Sequence, residues 1–152
     1  MSQSTEPIIK ITDADIIGGD HVVIHGANME VYPGDFIYIV GKVGTGKTSI
    51  FRTIIAENRP AKGSVQVCGY KIEEIKQKEI PFLRRKLGVV FQDFQLLMDR
   101  TVHDNLEFVL KATGWKEKDK IEKRITEVLE NVGMQTKASK MPHQLSGGEQ
   151  QR

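Results

Sequence analysis

A chain of 152 residues is long enough for one substantial core. Its 22 Lys+Arg against 20 Asp+Glu leave a net charge of only +2, which argues against a general polyanion-binding surface and so against a nucleic-acid partner. Cys68 is the single cysteine, which excludes an internal disulfide framework and leaves a buried thiol as the expectation. The opening MSQSTEPIIK lacks the basic start and apolar stretch of a signal peptide. No run approaches the ~18 apolar residues of a membrane span, so a cytoplasmic protein is expected.

Residues 8–35, IIKITDADIIGGDHVVIHGANMEVYPGD, offer short β-prone pieces at 8–11 and 22–24, broken by Gly18-Gly19 and Pro33-Gly34, and predict antiparallel strands. DIIG, residues 15–18, reads as a turn. FIYIV, residues 36–40, is continuously apolar and predicts a strand buried on both faces of a sheet. TSIFRTIIAEN follows from residue 48, with Ile50/Ile54 and Phe51/Ile55 four apart along one helical face.

Between that strand and that helix lies GKVGTGKTS: Gly41, Lys42, Val43, Gly44, Thr45, Gly46, Lys47, Thr48 and Ser49. Gly, four residues, then Gly-Lys-Thr is the pattern of a phosphate-binding loop, which requires a strand before it and a helix after it. Glycines let successive amide N–H groups turn inward around a phosphate beside the positive end of the helix dipole. Lys47 adds a positive charge for the outer phosphates, and the Thr48 hydroxyl is a candidate magnesium ligand. The expected cofactors are therefore a nucleoside triphosphate and Mg2+. No Asn-Lys-x-Asp element follows, which argues against a GTPase.

GVVFQD, residues 88–93, predicts a second buried strand ending in Gln92. Thr101 and Asp104 form a capping-box pattern at the start of a helix. A second amphipathic helix carries Ile121, Ile125, Val128, Leu129 and Val132 on one face, with Gly133 as its stop. A helical subdomain is expected at about residues 93–145. The basic runs at 84–86 and 116–120 read as solvated faces.

The closing PHQLSGGEQQR contains Leu145, Ser146, Gly147, Gly148 and Glu149. These five residues match the signature motif of the ATP-binding cassette (ABC) family, and with the phosphate loop upstream the chain resembles that family from residue 8 to its end. The resemblance implies an α/β P-loop NTPase fold of the ABC nucleotide-binding type, with a mixed sheet, an antiparallel β subdomain and a helical subdomain, truncated in a single domain over 1–152. It implies an ATPase with ATP and Mg2+, in which Lys47 and Gln92 are catalytic, Thr48 and Gln92 hold the metal, and Ser146 and Gly148 address the γ-phosphate on the other subunit of an ATP-bound homodimer. It also implies a permease-like membrane subunit as partner, holding the protein to the inner face of the cell membrane.

Within the family, IPFLRRKLGVVFQDFQLLMDRTVHDN, residues 80–105, most resembles the cell-division ATPases; lipoprotein- and macrolide-export ATPases share parts of the wording, and a nucleotide-gated division scaffold is a further alternative. The sequence departs from the family pattern at Val43, where serine is usual, and at Ile17, where an aromatic commonly stacks on adenine. The family's acidic strand and histidine switch have no counterpart within these residues. Residues 1–152 alone are accordingly expected to bind nucleotide without hydrolysing it.

Overall fold

The structure, a computed structural model, describes residues 6–152, which divide into two compact units, the residues up to Gly88 and Val89–Arg152. In the first unit, β1 (Ile9–Gly18) and β2 (His21–Val31) form a long antiparallel hairpin. β3 (Lys62–Val67) pairs antiparallel with the other edge of β1, and the short β4 (Tyr70–Lys71) continues the sheet in the order β2-β1-β3-β4. Period-two side-chain alternation turns Ala14 and Ile16 of β1 and Val65 and Val67 of β3 inward, and a register shift between Ile11 and Ala14 brings Ile11 to the same face. They pack with Ile54 of α1 (Lys47–Ile54) and with Leu83 of α2 (Ile80–Arg84).

The hairpin is irregular where β1 meets β3. The register shifts between Ile11 and Ala14 on one side and between Thr12 and Asp15 on the other, and Asp13 sits at φ 43°. Gly63 lies against this bulge at φ 77°, and a Cβ there would stand 2.1 Å from the Asp13 carbonyl oxygen. Only glycine lets β3 approach so closely.

The second unit is helical. Its elements are α3 (Val102–Ala112), α4 (Lys118–Asn131), two short 3-10 turns (Gln135–Lys137 and Pro142–Gln144) and α5 (Gly147–Gln151). Thr101 caps α3 by accepting from the Asp104 amide at 3.1 Å, as the capping-box pattern predicts. The next free amides of that helix, Val102 and His103, donate to the carbonyls of Lys140 and Ala138, both at 2.9 Å. Ile121, Ile125 and Leu129 are buried with Met134 and Leu145, while Val128 is half-buried and Val132 is 36% exposed at the helix end. Gly133, at φ 66°, ends α4.

Four expectations change. DIIG is not a turn: its residues complete β1, Ile16 is fully buried and Ile17 pairs with Val22, so the turn begins only at Gly19. Residues 36–40 form no strand, and Phe36, Tyr38 and Val40 are 80%, 78% and 86% exposed. Residues 88–93 likewise form no strand, with Val90 75% exposed. The physical reason is shared, since an inner strand needs a ladder neighbour to satisfy its amides, and neither segment has one among the described residues. Cys68 is half-buried, because it sits at φ 48° in the turn between β3 and β4, at the rim of the core.

The basic runs are exposed but not free. Arg84 Nε donates to the Ile55 carbonyl at 3.0 Å, Lys86 lies 5.2 Å from the Tyr70 ring centroid, and Lys120 pairs with Glu117 at 2.7 Å.

Candidate functional site

The phosphate-loop residues form a tight curl in the first unit, running directly into α1. Gly46 precedes the helix at φ 89°, a left-handed conformation that L side chains rarely adopt, and a Cβ there would lie 2.9 Å from both Val23 and Ile24 of β2. The helix thus starts against the hairpin, and the loop is folded by the absence of a side chain. Thr45 Oγ1 donates to the Lys42 carbonyl at 2.9 Å, closing the curl from within.

Lys47 reaches back over the loop that precedes it. Its ammonium donates to the carbonyls of Gly41 at 2.7 Å and Lys42 at 2.6 Å. The first turn of α1 carries no acidic residue, so nothing competes with an anion for the exposed amides and the positive helix end. Thr48 is exposed one position into the helix, and Val43 is fully exposed at the loop tip, where the loss of a serine hydroxyl leaves the main chain in place. Ser49 is half-buried, and its Oγ would stand 2.9 Å from a Cβ on Gly18, so the end of β1 lies beside the start of α1. Ile17, the expected adenine contact, is half-buried in β1 next to Gly18, and its carbonyl accepts from Asn58 Nδ2 at 3.3 Å.

Gln92 belongs to the second unit, where it is exposed in a turn. That turn leads into two residues at positive φ, Phe94 at 61° and Gln95 at 54°. Strain of this kind concentrates at functional and switching segments. The turn is braced by the Gln95 amide donating to the Asp93 carbonyl at 2.7 Å.

The signature residues open α5. Leu145 is buried in the helical core, and Ser146 is the N-cap. Ser146 Oγ accepts from the Glu149 amide at 3.3 Å, while Glu149 Oε2 accepts from the Ser146 amide at 2.8 Å and from its hydroxyl at 3.0 Å. Glu149 Oε1 pairs with Lys137 at 2.9 Å. The Ser146 amide foremost, then Lys137 and the Ser146 hydroxyl, pull the Glu149 carboxyl from its ordinary value down to about 2. Gly147 and Gly148 have neither a left-handed φ nor a described atom within 4 Å of an added Cβ. No described part of this chain requires them to be glycine.

Sequence reasoning missed two polar organisers. Lys137 touches the signature only through Glu149, and Asn105 fastens the loop before α3. Asn105 Oδ1 accepts from the Leu97 amide at 2.8 Å, and its Nδ2 donates to the carbonyls of Leu97 at 3.0 Å and Thr101 at 2.9 Å. Lys137 follows no hydrophobic period and no motif, and Asn105, although it ends the stretch 80–105 that resembles the cell-division ATPases, carries no local signal of what it binds, so only three-dimensional placement reveals their roles. Among the described residues, no group of three or more His, Cys, Asp or Glu is arranged to hold a metal, and no helix is long and apolar enough to cross a membrane.

The ABC transporter family profile matches residues 24–152, from the second hairpin strand through the signature. The chain belongs to the ABC transporter family. Its ABC relatives include the "Cell division ATP-binding protein FtsE" of Bacillus subtilis (strain 168), 46% identical over 129 residues that cover 85% of this chain and 56% of that protein. The protein of the same name from Escherichia coli (strain K12) is 40% identical over 134 residues, covering 88% of this chain and 60% of that one. The chain therefore spans a little over half the length of these curated relatives. Among solved ABC structures, the fold matches the dimeric structure of MJ0796, a bacterial ABC transporter cassette, with a TM-score of 0.83 and 29% identity over 93% of this chain and 65% of that one. It also matches cbiO1 from Clostridium perfringens, part of the ABC transporter complex cbiONQ, with a TM-score of 0.81 and 27% identity over 96% and 58% of the two chains.

Proposed function

We propose that the whole protein is an ATP-binding and ATP-hydrolysing subunit of an ABC-type complex that acts with an FtsX-like membrane partner in bacterial cell division. The observation that carries this reading is the loop curled over Lys47 at the start of an acid-free helix turn, since it offers amides and an ammonium group to a triphosphate tail. The FtsE relatives supply the cell-division context.

In this reading Lys47 exchanges the carbonyls of Gly41 and Lys42 for phosphate oxygens, while the amides of residues 44–49 cradle the phosphates. Thr48 and Gln92 offer a hydroxyl and an amide oxygen, both hard donors of the kind Mg2+ accepts beside phosphate oxygens and water. Magnesium, when bound, neutralises charge on the outer phosphates. Ile17 gives adenine an aliphatic contact. Gly147 and Gly148 leave an open surface beside Ser146, which suits close approach of a second subunit's nucleotide in a head-to-tail homodimer. Residues 1–152 form a single nucleotide-binding domain whose helical part is about 93–145, held through its partner at the cytoplasmic face of the membrane.

Lys47→Ala should weaken ATP binding by roughly 1.5–3 kcal/mol, the contribution of a hydrogen bond to a charged group, measured by titration calorimetry. Unchanged affinity would overturn the reading. Residues 1–152 by themselves should bind ATP without turnover, because no motif recognised in them supplies a carboxylate to activate water. Phosphate release at a rate matching the whole protein would refute this.

A further inference from the structure

We infer that Lys137 is a positioning residue for the signature serine, acting through Glu149 to set the charge and hydrogen-bond direction that Ser146 presents. The inference rests on the reading above, in which Ser146 meets a nucleotide phosphate.

A serine hydroxyl has one proton to donate and two lone pairs to accept with. At Ser146 the proton goes to Glu149 Oε2 and one lone pair receives the Glu149 amide. A phosphate needs donors, so Ser146 serves it only when its proton swings away from Glu149. The same carboxylate places a negative charge beside the spot a phosphate would occupy, and like charges there oppose binding.

Lys137 addresses both problems. Its ammonium lies 2.9 Å from Oε1, the carboxylate oxygen that Ser146 does not use. The ion pair neutralises Glu149 and draws its electron density toward the far oxygen, which weakens its hold on the serine proton. The carboxylate still anchors the Ser146 amide at 2.8 Å, so the serine keeps its place at the helix start.

The position of Lys137 is fixed rather than fortuitous. Its amide donates to the Met134 carbonyl at 2.8 Å, and the carbonyls of Ala138 and Lys140, just after it, accept from the first two amides of α3. The Lys137 side chain is 36% exposed and that of Glu149 19%, so the pair is partly shielded from solvent.

The test uses the whole protein and measures steady-state ATP hydrolysis, ATP affinity and melting temperature. Lys137→Met should lower kcat roughly tenfold, the scale of coupling between charged neighbours in one network. Its monomer should keep wild-type ATP affinity at the phosphate loop and a wild-type melting temperature. Lys137→Arg should restore the rate. In a Glu149→Gln background, where no carboxylate charge remains to neutralise, Lys137→Met should have no further effect.

A wild-type rate in Lys137→Met overturns the inference, as does a full additional tenfold loss in the Glu149→Gln background. A rate loss that tracks a lowered melting temperature and is not rescued by Lys137→Arg overturns it too, because that is the signature of a merely structural role. Ser146→Ala separates the two levels. If it abolishes hydrolysis while Lys137→Met keeps the wild-type rate, only this inference fails; if it leaves the rate intact, the underlying reading fails with it.

Discussion

The phosphate loop of the first unit and the signature turn of the second are built by opposite means. In the first unit the phosphate loop is shaped by main chain, with Gly46 at φ 89° against β2 and an ammonium held by two backbone carbonyls. In the second, the start of α5 is shaped by side chains, through the linkage of Lys137, Glu149 and Ser146. A backbone-built end is vulnerable to added atoms and indifferent to moderate pH, whereas a side-chain-built end tolerates bulk and responds to charge. The contrast is already present in the glycines, since Gly46 and Gly63 are hemmed in while Gly147 and Gly148 face open space.

The strongest way to break this contrast is to add one carbon to the first unit. Gly63→Ala forces a Cβ into the Asp13 carbonyl at a left-handed φ, and should lower unfolding free energy by about 3 kcal/mol or more, read from the urea midpoint. Gly147→Ala, with no neighbour within 4 Å, should cost no more than about 1 kcal/mol in the same measurement, the difference in helix propensity working in its favour. Equal costs at the two sites would erase the distinction.

Removing a side-chain cap from the second unit should have an intermediate effect. Thr101→Ala deletes the oxygen that accepts from the Asp104 amide, and should cost about 1 kcal/mol by urea unfolding. The remaining hydrogen bonds from Val102 and His103 to Lys140 and Ala138 should keep α3 helical by circular dichroism.

The smallest effects are those of pH, and they have opposite signs. Glu149 is held below its ordinary value of 4.5, so its stabilising contribution is present above pH 4.5 and is lost as pH falls toward about 2. His103 is raised above 6.5, first by its hydrogen bond to Glu122 at 2.9 Å and then by Asp104 at 3.3 Å, with burial opposing. Its contribution is complete below pH 6.5 and is lost as pH rises through the raised value. His103→Gln should therefore flatten the alkaline side of the stability profile. A variant that keeps the full wild-type slope on the alkaline side would contradict the assignment.

Motif and period made much of this legible. The strand-rich start, the helix after Lys47, the Thr101 cap, the inward face of α4 and the stop at Gly133 all follow from local spacing or local stereochemistry, which act within a few residues. Residues 36–40 and 88–93 were not legible in the same way: apolar β-prone composition states that a segment can be an inner strand, but a ladder also requires a neighbour, which composition does not contain. Nor does it reveal Asn105 or Lys137, whose roles depend on groups brought near by the fold.

The Asn105 amide has a mechanical consequence. By gripping both main-chain groups of Leu97 while also bonding the Thr101 carbonyl, it ties the strand of chain descending from Gln92 to the first turn of α3 like a rope made fast at a cleat. Any tug on that rope is delivered to the helix with almost no slack, so the length free to swing is only what lies ahead of Leu97.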